Sequence, residues 1–379
     1  MSEPVNEGRA PGAEYDIALK TSGRDPEVLR SVLSAWFASK LSAPGLQLAP
    51  IATPEGTGVA NETLIVDAAW NAGGRDVNQR FVVRVETPEP LYLDANIERH
   101  YKVYEALMDE PAVPSPAVIG YEPDTGLIGA PFFAMEFIAG EIPGDRPHYT
   151  TAGFVFDASP AQRRTLWENA VRTLAALHSV DTGRFAFLER GSGKSGLEEE
   201  LDYFRRYLDW ALPSGHNPHL EQAWTWLQAN LPANPPTGFS WGDSRVANII
   251  FRDLKPVAVL DWDTVSLAGS EADLAWWITM DHHATALLPG IGTPDELIGL
   301  WEATTGRTVQ HLRYHMVFSA FRLGAILYKL FSQMSSAGLM PPDMAEQQST
   351  GNMFIQYLCQ LLDMTPPGPI DAPLPDVRM

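Results

Sequence analysis

One stretch constrains this chain more than any other: Phe239-Ser-Trp-Gly-Asp-Ser-Arg-Val-Ala-Asn-Ile-Ile-Phe-Arg, closed shortly after by Val257-Ala-Val-Leu-Asp-Trp-Asp. It holds Asp243, Asn248 and Asp261 within nineteen residues. Two short apolar runs, 248–252 and 257–260, joined across Asp253-Leu254-Lys255-Pro256, predict a β-hairpin. A hairpin brings the chain back to where it began. Asn248 at its entrance and Asp261 at its exit therefore meet at one end. Gly242 supplies a position without a Cβ where the backbone has to turn tightly before Asp243. Three oxygen-bearing side chains gathered in this way suit Mg²⁺ and an activated hydroxyl. The competing reading is that Asp243 and Asn248 make only turn and capping hydrogen bonds; their five-residue spacing beside a strand favours chemistry.

Composition narrows the setting. The chain has 379 residues, 45% of them apolar, enough for a substantial core in one two-lobed unit or two to three domains. Its net charge of −20 repels phosphate backbones, so no nucleic-acid partner is expected. The single cysteine, Cys359, excludes an intrachain disulfide or a cysteine zinc site and reads as a small buried hydrophobe. The first twenty residues are polar and show no secretory signal pattern. The longest apolar stretch, 316–334, is interrupted by Arg322, Lys329 and Gln333, so it predicts a buried helix and no membrane span. A cytoplasmic protein is expected.

The order of elements predicts an α+β chain. Residues 1–24 read as a flexible arm. A helical period covers 25–42, strands 46–51, 62–70 and 80–85 follow, and a helix covers 95–109 with Ile97, Tyr101, Tyr104 and Leu107 on one face. Two more strands, 117–121 and 132–137, end at a break around Gly140 and Pro143-Gly144. Beyond it the pattern is helical. Ser159 and Pro160 open a helix to about 178. Further helices are expected over 197–212, 221–231 and most of 271–363, with a Pro-rich tail at 366–379. The expected division is a nucleotide-binding lobe over 25–138 and a catalytic and substrate lobe over 139–365.

Phosphoryl transfer needs a positioned hydroxyl, a neutralised triphosphate and an in-line geometry. Asp243 can orient the acceptor hydroxyl and take its proton. Asn248 and Asp261 offer a neutral and an anionic oxygen to Mg²⁺. Arg245, two residues after Asp243, can reach a γ-phosphate.

Trp241-Gly-Asp-Ser-Arg-Val-Ala-Asn, Leu260-Asp-Trp-Asp and Glu271-Ala-Asp-Leu-Ala resemble the signature of the aminoglycoside phosphotransferase and choline kinase-like family. Within it the chain is most similar to the kinase-like domain found with some acyl-CoA dehydrogenases. The resemblance covers about residues 50–335. It implies a protein-kinase-like two-lobed fold, ATP or GTP and Mg²⁺ as cofactors, and a small-molecule hydroxyl as acceptor. It also implies Asp243 as catalytic base, Asn248 and Asp261 as metal ligands, and Asp273 as a brace of the catalytic loop. Gly58, Asn61 and Thr63, in Thr57-Gly-Val-Ala-Asn-Glu-Thr, match the turn over the nucleotide. Arg84 in Phe81-Val-Val-Arg-Val matches the strand lysine that contacts phosphate. Glu136 and Ile138, in Phe133-Ala-Met-Glu-Phe-Ile, match the strand whose backbone binds adenine.

Three positions depart from the family pattern. Trp241 stands where a histidine is usual. Arg84 keeps the lysine's charge but not its reach. His100 occupies the place of the glutamate that normally pairs with that lysine, so the ion pair is missing or rebuilt. This motivates an alternative, a pseudokinase that binds nucleotide without turnover. A minor alternative comes from Asp261-Trp-Asp263-Thr264, which resembles the first motif of haloacid-dehalogenase-type phosphatases, with Asp261 as nucleophile. The mainly helical sequence after it and the unexplained Asp243–Asn248 pair argue against that reading. Gly191-Ser-Gly-Lys-Ser lacks the strand and first glycine of a phosphate-binding loop. His282-His283 point to different sides of a helix and do not suggest a metal pair. Trp210, Trp276, Trp277, His282 and Phe318 suggest an aromatic acceptor site, and hence a hydrophobic or hydroxyacyl metabolite in place of an aminoglycoside.

Overall fold

The computed structural model describes residues 24–51, 61–145, 147–212, 217–285, 288–370, 373–374 and 376–377, with backbone alone for 282–285. The helices are α1 (Pro26–Lys40), α2 (Ile97–Leu107), α3 (Thr125–Ile128), α4 (Phe154–Asp157), α5 (Pro160–Leu177), α6 (Gly196–Ala211), α7 (Pro218–Ala229), α8 (Ser270–Thr285), α9 (Pro294–Thr305), α10 (Leu312–Ser336), α11 (Pro342–Gly351) and α12 (Met353–Leu361). The strands are β1 (Gln47–Leu48), β2 (Asn61–Ala72), β3 (Arg75–Glu86), β4 (Val118–Glu122), β5 (Phe132–Glu136), β6 (Ile249–Arg252) and β7 (Lys255–Val259).

β2 and β3 pair residue for residue from Asn61↔Glu86 to Ala72↔Arg75. Gly73 and Gly74, both at positive φ, close the hairpin between them, as a two-residue turn of this hand requires. The antiparallel sheet runs β1-β2-β3-β5-β4. Side chains alternate across it. Phe81, Val83 and Val85 join Leu33, Trp36 and Phe37 of α1 in one core. Val82, Phe133 and Met135 face the other way, onto Val103, Tyr104 and Leu107 of α2. Arg84 shares the parity of Val82 and so lies on the α2 side, where the sheet faces the helical half.

Most expected elements are present, with instructive differences. The strand expected over 46–51 is reduced to the two residues of β1, paired with Ala68 and Ala69. The expected face of α2 packs on the core, with Tyr101 half-buried against it, and is wider than expected: His100 and Val103 are buried beside Ile97, Tyr104 and Leu107. A histidine counted as polar therefore sits inside. The Gly-Ser segment before α6 serves that helix. Ser195 and Glu198 form a capping box, and Glu199 accepts from the backbone of Arg190 and Ser192.

The helical half packs around α10, whose residues from Tyr314 to Ile326 are all buried. No helix among the described residues is long and apolar enough to cross a membrane. The β6–β7 hairpin lies between the halves. Glu141 and Phe251 exchange backbone hydrogen bonds of 2.8 Å, and Arg252 donates to the Ala139 carbonyl. Gly140 permits this approach: a Cβ there would lie 2.5 Å from Ile250 Cγ2 and 2.6 Å from the Phe251 oxygen.

Two outcomes follow from this packing. Gly140→Ala should lower stability by about 1–3 kcal/mol in chemical denaturation, because backbone lies on one side of the new methyl. His315 is fully buried and neither ring nitrogen has a partner among the described residues. Burial, and then the nearby His311, hold its pKa down to about 3 from 6.5. The unfolded chain takes up that proton below pH 6.5 and the folded chain does not. Stability is thus complete above pH 6.5 and falls as pH drops toward 3. His315→Leu should flatten the fall, as read from urea midpoints across that window.

Candidate active site

The loop that carries Asp243 is fixed from below by Asp273, in the first turn of α8 and fully buried. Its Oδ1 accepts from Ser240 Oγ at 2.9 Å and Gly242 N at 2.8 Å. Its Oδ2 accepts from Trp241 N at 2.6 Å and His178 Nε2 at 2.9 Å. Trp301 Nε1 can only donate, so His178 Nδ1 accepts from it at 2.9 Å and Nε2 carries the proton for Asp273. Gly242 has φ +94, and a Cβ there would lie 2.1 Å from the Thr264 carbonyl oxygen. The loop can thus press against the chain that follows Asp261. Trp241 replaces the usual histidine yet does structural work: its Nε1 donates to the carbonyls of Leu260 and Asp261, both at 2.9 Å.

Asp243 is held on three sides. Oδ2 accepts from Asn248 Nδ2 at 2.8 Å and Arg245 Nε at 3.2 Å. Oδ1 accepts from Trp276 Nε1 at 2.8 Å. Each carboxylate oxygen offers about two lone-pair directions. Oδ2 is filled, and the open direction is on Oδ1, beside the Trp276 indole. Arg245 reaches on to Asp145 Oδ1 at 2.7 Å. Although burial would lower its pKa, Asp243 and Asp145 raise it, so its charge is secure.

The hairpin brings Asn248 and Asp261 together. Leu260 N donates to Asn248 O at 2.9 Å. Asn248 spends its amide nitrogen on Asp243, at the carbonyl and at Oδ2, which leaves its amide oxygen for a cation. Asp261 adopts φ +66, a left-handed conformation that turns the chain immediately after β7. Burial, then Asp263 and Asp243, push its pKa well above the usual carboxylate range. A buried carboxylate among like charges is what a divalent cation would relieve. Among the described residues no three His, Cys, Asp or Glu side chains form a self-contained metal cage. The donor set fits Mg²⁺ held by one carboxylate and one amide, with its other positions left to phosphate and water.

The partner of the strand cation is rebuilt. His100 Nε2 lies 3.1 Å from Asp263 Oδ1, and Asn61 Nδ2 donates to the same oxygen at 3.1 Å. Arg84 donates to Thr63 Oγ1 at 2.6 Å. Burial would raise the Asp263 pKa, but His100 and then Arg84 outweigh it and hold the group below its ordinary value. Asp263 thus acts on Arg84 through its field, while its hydrogen bonds go to His100 and Asn61 and the guanidinium of Arg84 bonds Thr63. Asn61 and Thr63, expected to face phosphate, turn their side chains to Asp263 and Arg84. Asp263 is engaged as a structural acceptor, which removes the free acid/base that a phosphatase reading of this motif needs.

Gly58 lies outside the described residues. Glu136 ends β5 with its N–H on the Ala117 carbonyl; Phe137 N–H goes to Arg80 O, and Ile138 follows at the break between the halves. The expected aromatic residues separate. Trp276 meets Asp243, and Phe318 packs with Phe204. Trp277 instead lines a cavity of about 410 Å³ with Trp167 and Asp281, and the side chain of His282 is outside the described residues. Sequence reading did not find the Trp276 hydrogen bond, the Asp145–Arg245 pair or His178 beneath Asp273. Only the buried His178 at the end of an apolar helix face carried a signal.

The chain is similar in sequence and fold to known proteins. The family model described as the phosphotransferase enzyme family matches residues 69–302, more than half of the chain. The chain belongs to that family and is a small-molecule kinase by class. Curated relatives include the probable acyl-CoA dehydrogenase IBR3 of Arabidopsis thaliana, 24% identical over 73% of this chain and 36% of that protein. Acyl-CoA dehydrogenase family member 11 of Homo sapiens is 27% identical over 73% and 37%. Acyl-CoA dehydrogenase family member 10 of Mus musculus is 30% identical over 72% and 27%. The chain spans about a third of the length of these relatives. Among solved structures, a putative aminoglycoside phosphotransferase from Ralstonia eutropha aligns with TM-score 0.66 at 23% identity, covering 87% of this chain and 98% of that one. Aminoglycoside phosphotransferase APH(4)-Ia, in a ternary complex with AMP-PNP and hygromycin B, aligns with TM-score 0.53 at 14% identity over 88% and 99%. The fold is protein-kinase-like.

Asp273→Asn should be more damaging than its size suggests. The amide NH₂ would face N–H donors, and a buried network losing its charge costs about 3–5 kcal/mol. Denaturant unfolding should show that loss, whereas Asp243→Asn, nearer the surface, should unfold close to wild type.

Proposed function

We propose that this chain transfers the γ-phosphoryl group of ATP, with Mg²⁺, to a hydroxyl of a small molecule. The observation that carries this reading is the open lone pair on Asp243 Oδ1, with the other three directions tied to Trp276, Asn248 and Arg245. A hydroxyl seated there donates to a carboxylate that cannot rotate away, and its oxygen is oriented for in-line attack. Asn248 and Asp261 hold Mg²⁺ against the phosphates. Arg84 takes the α- and β-phosphates from the sheet, and Arg245 adds positive charge on the γ-phosphate side. Asn61 and Thr63 act through Asp263 and Arg84, Gly58 belongs to the turn over the phosphates, and backbone at Glu136 and Ile138 receives adenine.

The rebuilt partner of Arg84 favours turnover over a nucleotide-binding module without it, because the strand cation remains anchored and the acidic residues remain in place. The acceptor is a hydrophobic or hydroxyacyl metabolite. The Trp276 indole on Asp243 Oδ1 supports an apolar neighbour for the hydroxyl, and the acyl-CoA dehydrogenase relatives agree with an acyl acceptor. The protein works in the cytoplasm.

The test is ATP consumption by the purified chain with Mg²⁺ across a panel of hydroxylated compounds. At least one acceptor should drive it. Asp243→Asn should lower kcat by about 10²–10⁴-fold while nucleotide affinity is retained. ATP binding without consumption by either protein, for every acceptor, would sink the reading.

A further inference from the structure

α8 works on two sides. Asp273 and Trp276 hold the Asp243 loop. Successive helix positions turn by about 100°. Trp277, Ile278 and Asp281 therefore point away from that loop, and they line a cavity of about 410 Å³. Trp167 of α5 forms another wall, and the chain from Ile291 into the first turn of α9 forms the rim. The volume lies in the range of small-molecule sites.

The wall is apolar. Trp167, Trp277, Ile278 and Leu297 are each 2% exposed. The Trp167 ring is already engaged. Arg164 stands 5.2 Å from its centroid, and Gly292 packs so close that a Cβ there would lie 2.2 Å from the ring. Trp277 differs. Among the described residues no aromatic ring and no cation stacks on its indole, and its N–H has no acceptor. A buried indole usually finds a partner for its N–H. Trp277 borders the cavity instead.

The charge around this hollow is one-sided. Asp281, Asp295 and Asp376 line it, and among the described residues no Lys, Arg or His does. Asp281 is 7% exposed, whereas Asp295 and Asp376 are exposed, so the acids run from the floor to the mouth. Burial pushes the Asp281 pKa up to about 7, against the opposing charge of Arg245. A carboxylate in that condition gains from a further positive charge. Acids alone would make a hydrated patch. Set around an apolar hollow with an open indole face, they make an environment that suits organic cations, through ring and carboxylate together.

We propose that this cavity is a second binding site, separate from the phosphotransfer cleft, for a small organic cation with an apolar body. Its positive group lies between Asp281 and the Trp277 ring, and its apolar part rests against Ile278 and Leu297. Asp295 and Asp376 draw it in at the mouth. The same three carboxylates repel an apolar anion, and a neutral molecule gains only the wall. The site stands whether or not the cleft transfers phosphate.

The test is equilibrium binding of three probes of similar size to the full chain, by calorimetry and ligand-observed NMR: benzylammonium, benzyl alcohol and benzoate. Wild type should bind benzylammonium about tenfold more tightly than benzyl alcohol, and benzoate least. Asp281→Asn should remove most of the preference for cation over alcohol while benzyl alcohol still binds. Asp295→Asn, at the exposed mouth, should weaken benzylammonium severalfold and leave the alcohol unchanged. Trp277→Leu should weaken the cation more than the alcohol. Asp243→Asn should bind benzylammonium as wild type does, which separates this cavity from the acceptor side of the cleft. Should Asp281→Asn not fold, Asp295→Asn and Trp277→Leu decide. The proposal is overturned if benzylammonium shows no saturable binding or binds no better than benzyl alcohol. It is equally overturned if the preference survives in every folded variant of the cavity, or is lost in Asp243→Asn.

Discussion

Everything chemical in this fold hangs on the carboxylate of Asp273. It is inaccessible to water and receives four hydrogen bonds, two of them from consecutive backbone N–H groups of the catalytic loop. A buried charge is tolerable only when its hydrogen-bonding capacity is filled, and here the filling groups are the loop itself. The arrangement therefore works in both directions: the loop satisfies the charge, and the charge dictates where the loop lies. Ser244 Oγ adds a bond to the Asp273 carbonyl at 2.7 Å, so the residue after Asp243 is tied to the same helix. From that helix, one turn on, Trp276 reaches Asp243 itself. Asp243, its loop and the helix below are tied into one unit, which fixes the direction of the Asp243 carboxylate.

The second dependence is electrostatic. Asp243, Asp261 and Asp263 converge, and three carboxylates in a buried cleft repel one another. The protein divides the burden unequally. Asp263 is neutralised locally by His100, Asn61 and the field of Arg84, and its pKa goes down. Asp261 receives little beyond one backbone N–H from Asp263, at 3.2 Å, and its pKa goes up. That contrast separates the two acids of the DxD segment: Asp263 is held by its own donors, and Asp261 is left as the carboxylate on which the proposed cation site rests. It also explains how a histidine can replace a glutamate in α2. The glutamate's negative charge is supplied by Asp263, and the histidine's task becomes to hold Asp263 in place.

Much of this was legible in the sequence because the decisive features are local. The β6–β7 hairpin follows from two apolar runs and a turn between them, and it forces Asn248 and Asp261 together whatever surrounds them. Gly242 announced a tight turn, and the structure supplies the reason in the Thr264 carbonyl behind it. What was not legible depends on contacts between residues far apart in the chain. His178 and Asp273 are 95 residues apart, and Asn61 and Asp263 are 202 apart. No spacing rule encodes them. The buried face of α2 is wider than its apolar period for a related reason. A hydrophobic period counts His100 as polar and leaves it out, but its burial follows from its carboxylate partner Asp263, far along the chain. Trp276 and Trp277 show the same limit. Adjacent indoles look equivalent in sequence, yet successive helix positions point about 100° apart, so one meets the base and the other a separate cavity.

The net charge of −20 makes the placement of the few cations informative. Several arginines outside the cleft sit in exposed ion pairs, such as Arg80–Asp67 and Arg164–Glu296, which contribute little. Around the cleft the pattern changes. Arg84 and Arg245 face the three aspartates, and Arg322 lies behind the catalytic loop. Positive charge thus surrounds the acids in a shell, with Asp243 and Asp261 toward the opening. Such a shell opposes the mutual repulsion of the aspartates, and it offers phosphate a favourable field inside a surface that repels it elsewhere. Repulsion at a distance and attraction at close range together would favour a ligand whose charge is screened, such as the proposed triphosphate with its divalent cation. An acidic surface and an anionic substrate are then compatible, because the discrimination is made by the few ångströms around Asp243 and not by the molecule's net charge.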